Sequence, residues 1–220
     1  MGNTGVLLLH GLFEHKGRQK INAEWFEKLN IQSHLIDLPG HGSETNNKGD
    51  IGSWEENSSA VVSGFKNIQS VEKKILFGHS YGGLVAADAV LKEVVKPDYL
   101  ILSAPLFEDN YPKLIRNLSG PMAKIAPKFR SPSPVTKKNI STDKSVAEDY
   151  FKDPLVFRSL TFRLGYAITQ AQDFVNNNIE KLSIPTIVLH GKGDSIVPIS
   201  GCNKISKLNN VTFIEVENSK

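Results

Sequence analysis

A chain of 220 residues with 40% hydrophobic and 22% charged residues can bury one sizeable core, and it predicts a single domain with a long insertion. The net charge is only +3, and its basic residues are scattered apart from a mild cluster between Lys113 and Lys138. That pattern excludes nucleic acid as an expected partner and leaves at most a weak attraction to anionic lipid surfaces. A single cysteine, Cys202, excludes an intramolecular disulfide and a cysteine-based metal site.

The opening residues, MGNTGVLLLHG, have no basic leader, and their apolar run is too short to target or span a membrane. Met1 and Gly2 resemble a myristoylation start, but Val6 stands where that signal needs Ser or Thr. A soluble, cytoplasmic protein is expected.

Short apolar runs then alternate with helix-period segments. GVLLLHG (5–11) is continuous, as a strand buried on both faces should be. INAEWFEKLN spaces Ile21, Trp25 or Phe26, and Leu29 along one helical face. SHLIDLPGHG (33–42) reads as a strand ending in a Pro-Gly turn. Ser53 is an N-cap candidate for a helix carrying Trp54, Val61, Val62, Phe65 and Ile68. KKILFGH (73–79), YLILSAP (99–105), IPTIVLH (184–190) and VTFIEV (211–216) are further strands. YGGLVAADAVLKEV (81–94) is a helix rich in small residues, and PISGCNKISKL suits another helix.

Strand and helix in such alternation predict an α/β fold, with a mostly parallel sheet covered by helices on both faces. The stretch from 106 to 182 breaks the rhythm. With Pro105 just before it, it holds Pro112, Pro121, Pro127, Pro132, Pro134 and Pro154 among short helix-like pieces. It is expected to be a helical cap, residues 106–182, inserted into a core of residues 1–105 and 183–220.

Gly78-His79-Ser80-Tyr81-Gly82 fits the G-x-S-x-G pattern of a nucleophile elbow. Ser80 would sit at the tip of a strand-to-helix turn, in strained backbone, where only small neighbours fit. The following helix would aim its N-terminus at developing negative charge. His10-Gly11 ends the first strand beside the expected cleft. The oxyanion-hole N–H groups are therefore expected from Tyr81 and from Leu12, with Phe13 next to it. His10 itself is expected to brace the loop. In LHGKGDSIVP, Asp194 follows a buried strand and precedes a helix start, so its carboxylate can reach the same cleft.

The segments HGLFEHKGR, DLPGHGSE, GHSYGG, SAP and LHGKGDSIVP, with DPLVFRS in the cap, resemble the α/β-hydrolase family. The similarity is greatest to its monoacylglycerol lipase, lysophospholipase and carboxylesterase group, and it runs nearly end to end. The resemblance implies a Ser80–Asp194–His triad, a helical cap shaping an acyl pocket, and no cofactor. Tyr81 departs from the Met of many relatives and is expected to tune the pocket floor. Substrate-binding candidates are Phe13, Phe107, Met122 and Val197. The cap residues Phe107, Tyr111, Leu114, Met122, Ile125, Phe129 and Tyr150 either line an acyl channel or form the cap's own small core.

The resemblance also implies that the catalytic histidine follows the last strand after a short turn, one or two positions past Lys220. His10, His15, His34, His41, His79 and His190 all have more plausible structural or solvent-facing roles. Without a terminal helix, a strip of apolar sheet face would meet water, so a longer natural protein is expected. The function expected is hydrolysis of a small acyl ester such as a monoacylglycerol or lysophospholipid, through an acyl-enzyme on Ser80. As the 220-residue chain it would be inactive or very weak. The alternatives are a non-catalytic protein binding an acyl ligand or partner, or a thioesterase or amide hydrolase on the same scaffold.

Overall fold

In the computed structural model, residues 3–43, 45–111, 113–217 and 219 are described. Met1 and Gly2, where the myristoylation pattern falls, lie outside them, as do Glu44 of the DLPGHGSE segment, Pro112 of the cap and Lys220.

The chain runs β1 (Thr4–Leu9), α1 (Lys20–Lys28), β2 (Gln32–Ile36), α2 (Glu55–Lys66), β3 (Lys73–His79), α3 (Tyr81–Leu91) and β4 (Tyr99–Ser103). It continues through α4 (Lys113–Ile125), β5 (Arg130–Pro132), α5 (Lys144–Lys152), β6 (Ser159–Thr161) and α6 (Phe162–Asn178), then β7 (Thr186–Gly191) and β8 (Val211–Val216). Six strands pair in parallel in the order β2-β1-β3-β4-β7-β8, while β5 and β6 form a separate antiparallel ribbon. Because β2 lies on one side of β1 and β3 on the other, the order reverses between β1 and β3. In open parallel sheets, ligands collect at the carboxyl ends of strands flanking such a switch point.

Both faces of β1 are covered, which explains its unbroken apolar run. Leu7 and Leu9 enter the main core with Val61, Leu84 and Val175, whereas Val6 and Leu8 face α1 with Ala23, Ile75 and Phe77. α3 is buried along nearly its whole length, from Tyr81 to Ala89, and its alanines and glycines allow close packing against the sheet. α6 buries Leu164, Ala167, Ile168, Ala171 and Val175 in that same main core.

Three local expectations are corrected. On α1, Ile21, Trp25 and Leu29 are 63%, 62% and 67% exposed, because the helix packs through the neighbouring stripe of Ala23 and Phe26. Phe26 meets Phe77 edge-on at 6.1 Å. The segment 199–208 forms only the 3-10 turns Ile199–Cys202 and Ile205–Lys207 rather than an α-helix. Its buried anchors, Cys202 and Ile205, stand three apart, which is the repeat of the tighter helix. Finally, α2 starts at Glu55 with Trp54 at the cap position, and the Gly52 and Ser53 N–H groups donate back to Glu56.

On the α1 side of the sheet, an apolar strip stands open. Register puts Tyr99 level with Ile75, Ile187 with Ile101, and Ile214 with Leu189, so these side chains share one face. Tyr99, Ile187, Ile214 and Val216 are 38–43% exposed.

The segment 106–182 is tied to the rest of the chain through Asp50. Its carboxylate accepts from Thr161 Oγ1 at 2.7 Å and from Arg163 Nη2 and Nε at 2.6 and 3.2 Å. Burial pushes the Asp50 pKa up, but the Arg163 and Thr161 hydrogen bonds outweigh it and hold the carboxyl below its ordinary value. Asp50→Asn should therefore cost about 1–3 kcal/mol at neutral pH, the range for hydrogen bonds to a charged group. A depressed folded pKa contributes stability above the ordinary value of 3.8, and that contribution is lost as pH falls through the folded value. Urea unfolding of both proteins should show a gap at pH 7 that closes in acid. An equal gap at all pH values would contradict this assignment.

Candidate active site

β3 ends at His79 and α3 begins at Tyr81, so Ser80 alone makes the turn, at φ +51° and ψ −116°. For a residue with a Cβ this conformation costs on the order of 1–3 kcal/mol and persists only where the surroundings impose it. They do so on both sides: Ser80 N–H donates to Ser103 O at 2.8 Å, and Ser80 O accepts from Leu106 N–H at 3.0 Å. The flanking glycines are demanded by close approach. A Cβ on Gly78 would strike the Gly82 carbonyl, and one on Gly82 would strike the carbonyls of Leu9 and His10.

The Tyr81 side chain is fully buried and points away from the cleft. Its hydroxyl accepts from Asn57 Nδ2 at 2.8 Å, and its ring stacks on His41 at 5.6 Å and meets Trp54 edge-on at 5.8 Å. The expectation that Tyr81 shapes the pocket floor is thus corrected, because the first residue of α3 directs its side chain into the core. Its backbone N–H follows Ser80 at the first position of α3. Burial pushes the phenol pKa up, so Tyr81 stays neutral.

The loop after β1 supplies the second edge. Phe13 adopts φ +71°, and its carbonyl accepts from Phe157 N–H at 3.1 Å. Among the described residues, the Leu12 and Tyr81 N–H groups donate to no side chain or loop carbonyl. Beneath this loop, buried His10 accepts from Leu38 N–H at 3.0 Å through Nε2 and donates from Nδ1 to Gly11 O at 2.8 Å. Burial and the nearby His41 keep its pKa well below normal, so it is a neutral brace.

Asp194 lies just past β7. One carboxylate oxygen, Oδ1, accepts from Ile196 and Val197 N–H at 2.8 and 2.9 Å, which fixes the side chain and leaves Oδ2 without such a donor among the described residues.

Ser80, Asp194, Leu12, Phe13, Met122 and Val197 all line one cavity of about 570 Å³. Phe107 does not. It is 1% exposed, sits in the main core, and gives only its carbonyl to Asn176 Nδ2 at 2.8 Å. Of the other cap candidates, Tyr111 and Tyr150 reach the cavity. Leu114, Ile125 and Phe129 stand 64–77% exposed instead. Sequence reading missed the apolar walls at Leu118, Ile140 and Ile168, and the polar ones at Glu14 and Arg116. Glu14 lies inside HGLFEH and could have been found there; Ile140 has no local signal.

Of the six histidines, His79 is the one on the cavity wall, and its Nδ1 lies 3.2 Å from Ser103 Oγ. His15 pairs with Asp153 at 2.8 Å, and His34 contacts Asn67 at 2.9 Å. Buried His190 contacts Gly191 O at 3.1 Å. His41 contacts Pro39 O at 2.8 Å, and burial lowers its pKa to about 4. The site thus presents Ser80 in strained backbone, the Leu12 N–H and a fixed carboxylate on one cavity, with the Tyr81 N–H next to Ser80 in the chain.

The family described as serine aminopeptidase, S33, matches residues 3–212. A monoglyceride lipase homolog of Monkeypox virus is 29% identical over 202 residues, covering 89% of this chain and 72% of that protein. An abhydrolase domain-containing protein of Dictyostelium discoideum is 22% identical over 205 residues, and the chain spans only 22% of its length. The crystal structure of a Paleococcus ferrophilus monoacylglycerol lipase superposes with a TM-score of 0.90 at 26% identity, over 98% of this chain and 84% of that one.

The elbow makes a direct stability prediction. Gly78→Ala and Gly82→Ala should each cost at least about 1–3 kcal/mol, the range for forcing an extra methyl into packed surroundings. Gly165→Ala in α6 is the control, since its new methyl would meet only Leu160 Cδ1 at 3.5 Å. It should stabilise by up to about 1 kcal/mol. Denaturant melts of the three variants check the ordering, and an elbow variant as stable as Gly165→Ala would refute it.

Proposed function

The chain belongs to the serine aminopeptidase S33 family of α/β-hydrolases, and from that premise we propose that it cleaves carboxylic esters of small acyl substrates, such as monoacylglycerols or lysophospholipids. The observation that carries this reading is that strained Ser80, Leu12 with its N–H unbonded among the described residues, and Asp194 line one cavity with largely apolar walls, Tyr81 following Ser80 at the start of α3. An acyl chain suits such walls, and Ser80 lies on them where a carbonyl would react.

In the proposed mechanism, Ser80 Oγ attacks the acyl carbonyl as a histidine takes its proton. The Leu12 and Tyr81 N–H groups bind the resulting oxyanion. The histidine returns the proton to the departing alcohol, leaving an acyl-enzyme on Ser80. Water, deprotonated by the same histidine, then releases the acid. Asp194 Oδ2 is free to orient that histidine, which this reading places just past Lys220. Without a base, turnover should fall by on the order of 10⁴–10⁶.

Residues 1–105 and 183–220 carry the chemistry in this reading, and residues 106–182 shape the acyl pocket. Among the described residues no helix is long and apolar enough to cross a membrane. Exposed Leu114, Leu118, Ile125 and Phe129, beside Lys124 and Lys128, instead support a weak contact of a cytoplasmic protein with a lipid surface. Nucleic acid and cofactors have no part in it. A second reading, an acyl-ligand-binding protein without turnover, draws on His79 being engaged with Ser103 rather than free to serve as base. Thioesters and amides are the competing substrates on the same machinery.

The test is a chromogenic acyl-ester series with the full-length protein, combined with fluorophosphonate labelling. Hydrolysis and labelling should both vanish in Ser80→Ala, and Asp194→Asn should lower kcat by about 10⁴ by analogy with triad aspartates. Tight acyl-ligand binding without turnover or labelling would decide for the second reading, and faster thioester or amide cleavage would move the substrate class.

A further inference from the structure

Glu14 is a carboxylate in an unusual place. It is 8% exposed and lines the cavity, two residues past Leu12. The basic side chains that follow it are engaged elsewhere: His15 pairs with Asp153 at 2.8 Å, Lys16 with Asp37 at 3.6 Å, and Arg18 lies over the Tyr150 ring. Taking an ionised carboxylate out of water is costly unless hydrogen bonds compensate it. Here the compensation is specific. Oε1 accepts from Gly11 N–H at 2.7 Å and from Gln19 Nε2 at 3.4 Å.

The first of these bonds acts on the oxyanion loop. Gly11 is pressed between Glu14 and His79, since a Cβ there would stand 3.2 Å from Oε1 and 3.3 Å from His79 Cδ2. At the loop's other end, Phe13 is held at φ +71° by the hydrogen bond from Phe157. The segment is therefore fixed at Gly11 and at Phe13, and Leu12 between them keeps its N–H for a ligand. A bond from backbone N–H to a carboxylate is stronger than one to a neutral acceptor, so Oε1 is the firmer of the two ties.

We infer that Glu14 is the positioning residue of the oxyanion loop: by holding Gly11 N–H it sets the turn that presents Leu12 N–H toward Ser80. This rests on the ester-hydrolase reading. Glu14 does not touch the reacting atoms. It acts through the peptide geometry of Gly11 and Leu12.

The experiment compares full-length wild type, Glu14→Gln and Glu14→Leu on a monoacylglycerol and on the methyl ester of the same acid. It adds the affinities of an alkyl trifluoromethyl ketone, which forms an oxyanion on Ser80, and of a non-hydrolysable ether analogue, which does not. Losing a whole oxyanion donor costs about 10²–10³ in kcat, so Glu14→Leu should lower kcat by about 10–100-fold on both esters while KM moves less than about twofold. Ketone affinity should fall with kcat and ether affinity should hold. Glu14→Gln, which keeps an acceptor for Gly11, should retain most of the activity.

Unchanged kcat in Glu14→Leu would overturn the inference. So would a KM rise confined to the monoacylglycerol, which would make Glu14 a contact for a substrate hydroxyl, or a parallel loss of both ligands. If Glu14→Leu fails to fold, Glu14→Ala replaces it. This variant also removes the acceptor from Gly11 N–H and should lower kcat with KM moving less than about twofold, and an unchanged kcat would again overturn the proposal. Should wild type cleave neither ester, nor react at Ser80, the ester-hydrolase reading fails first and the loop assignment with it.

Discussion

The rest of the site depends on how closely the β3–α3 elbow approaches the end of β1. Gly82 lies against the carbonyls of Leu9 and His10, and Gly78 against the backbone of Gly82 and Gly83, with no room for a side chain. This contact brings the first turn of α3 beside the β1 loop, so N–H groups from two distant parts of the chain border one space. It also makes the positive φ of Ser80 tolerable. The alternative turn would need volume that the neighbouring strand already fills. Ser103 and Leu106 then lock the amide and carbonyl of Ser80 into place.

The core behind the elbow is polar where it must be rigid. The Tyr81 hydroxyl takes the Asn57 amide, Trp54 Nε1 donates to Asp88 Oδ2 at 2.9 Å, and Lys92 closes the set on Asp88 at 2.9 Å. His41 stacks on Tyr81 and tilts against Phe157 at 5.0 Å, so it joins the elbow to the segment that holds Phe13. Burial keeps His41 neutral through the physiological range. A charged imidazole there would face His10 at 5.0 Å with little solvent to screen it. Such buried networks are worth their cost only when satisfied, and here Asn57 Oδ1 and His41 Nε2 remain without a hydrogen-bond partner.

How much of this could be read from the sequence followed burial. β3 and β8 occupy the residues their apolar runs mark; at the centre of β3 this is because a parallel strand covered on both faces has little choice but to be apolar, whereas β8 is an edge strand, largely exposed. Ser80 and its glycines were legible for a related reason, since the elbow restricts residue size within five consecutive positions. Side-chain direction was not legible. Tyr81 and Phe107 both adjoin the cleft in sequence and both turn into the core, and no local pattern tells which way a residue at an element's end will face. α1 shows the same limit: its i, i+4 stripe of Ile21, Trp25 and Leu29 is regular, but the sheet takes the Ala23–Phe26 stripe beside it. The cavity walls at Ile140 and Ile168 meet only through tertiary packing.

Buried polar groups in folded proteins are nearly always hydrogen-bonded, and this chain follows the rule beneath the β1 loop and around Asp50, while His41 Nε2, Asn57 Oδ1, Gln172 Oε1 and His190 Nε2 are buried without a partner. On the cavity wall, among the described residues, the Ser80 hydroxyl, the Leu12 N–H and Asp194 Oδ2 make no hydrogen bond, nor does the Tyr81 N–H beside Ser80 to any side chain or loop carbonyl. Each is also the free end of a residue whose other polar atoms are tied down: Ser80 by Ser103 and Leu106, Asp194 by Ile196 and Val197. Leu12 lies between Gly11, bound to Glu14, and Phe13, bound to Phe157. Rigid mounts and unpaired tips facing one cavity are what electrostatic preorganisation requires. In the proposed reading, folding would already have oriented the donors, so a developing oxyanion would meet them without reorganisation. In the proposed reading the elbow and the β1 loop would set the geometry of reaction, so residues 106–182 would have only to close the cavity, and they already hold Phe13 through Phe157.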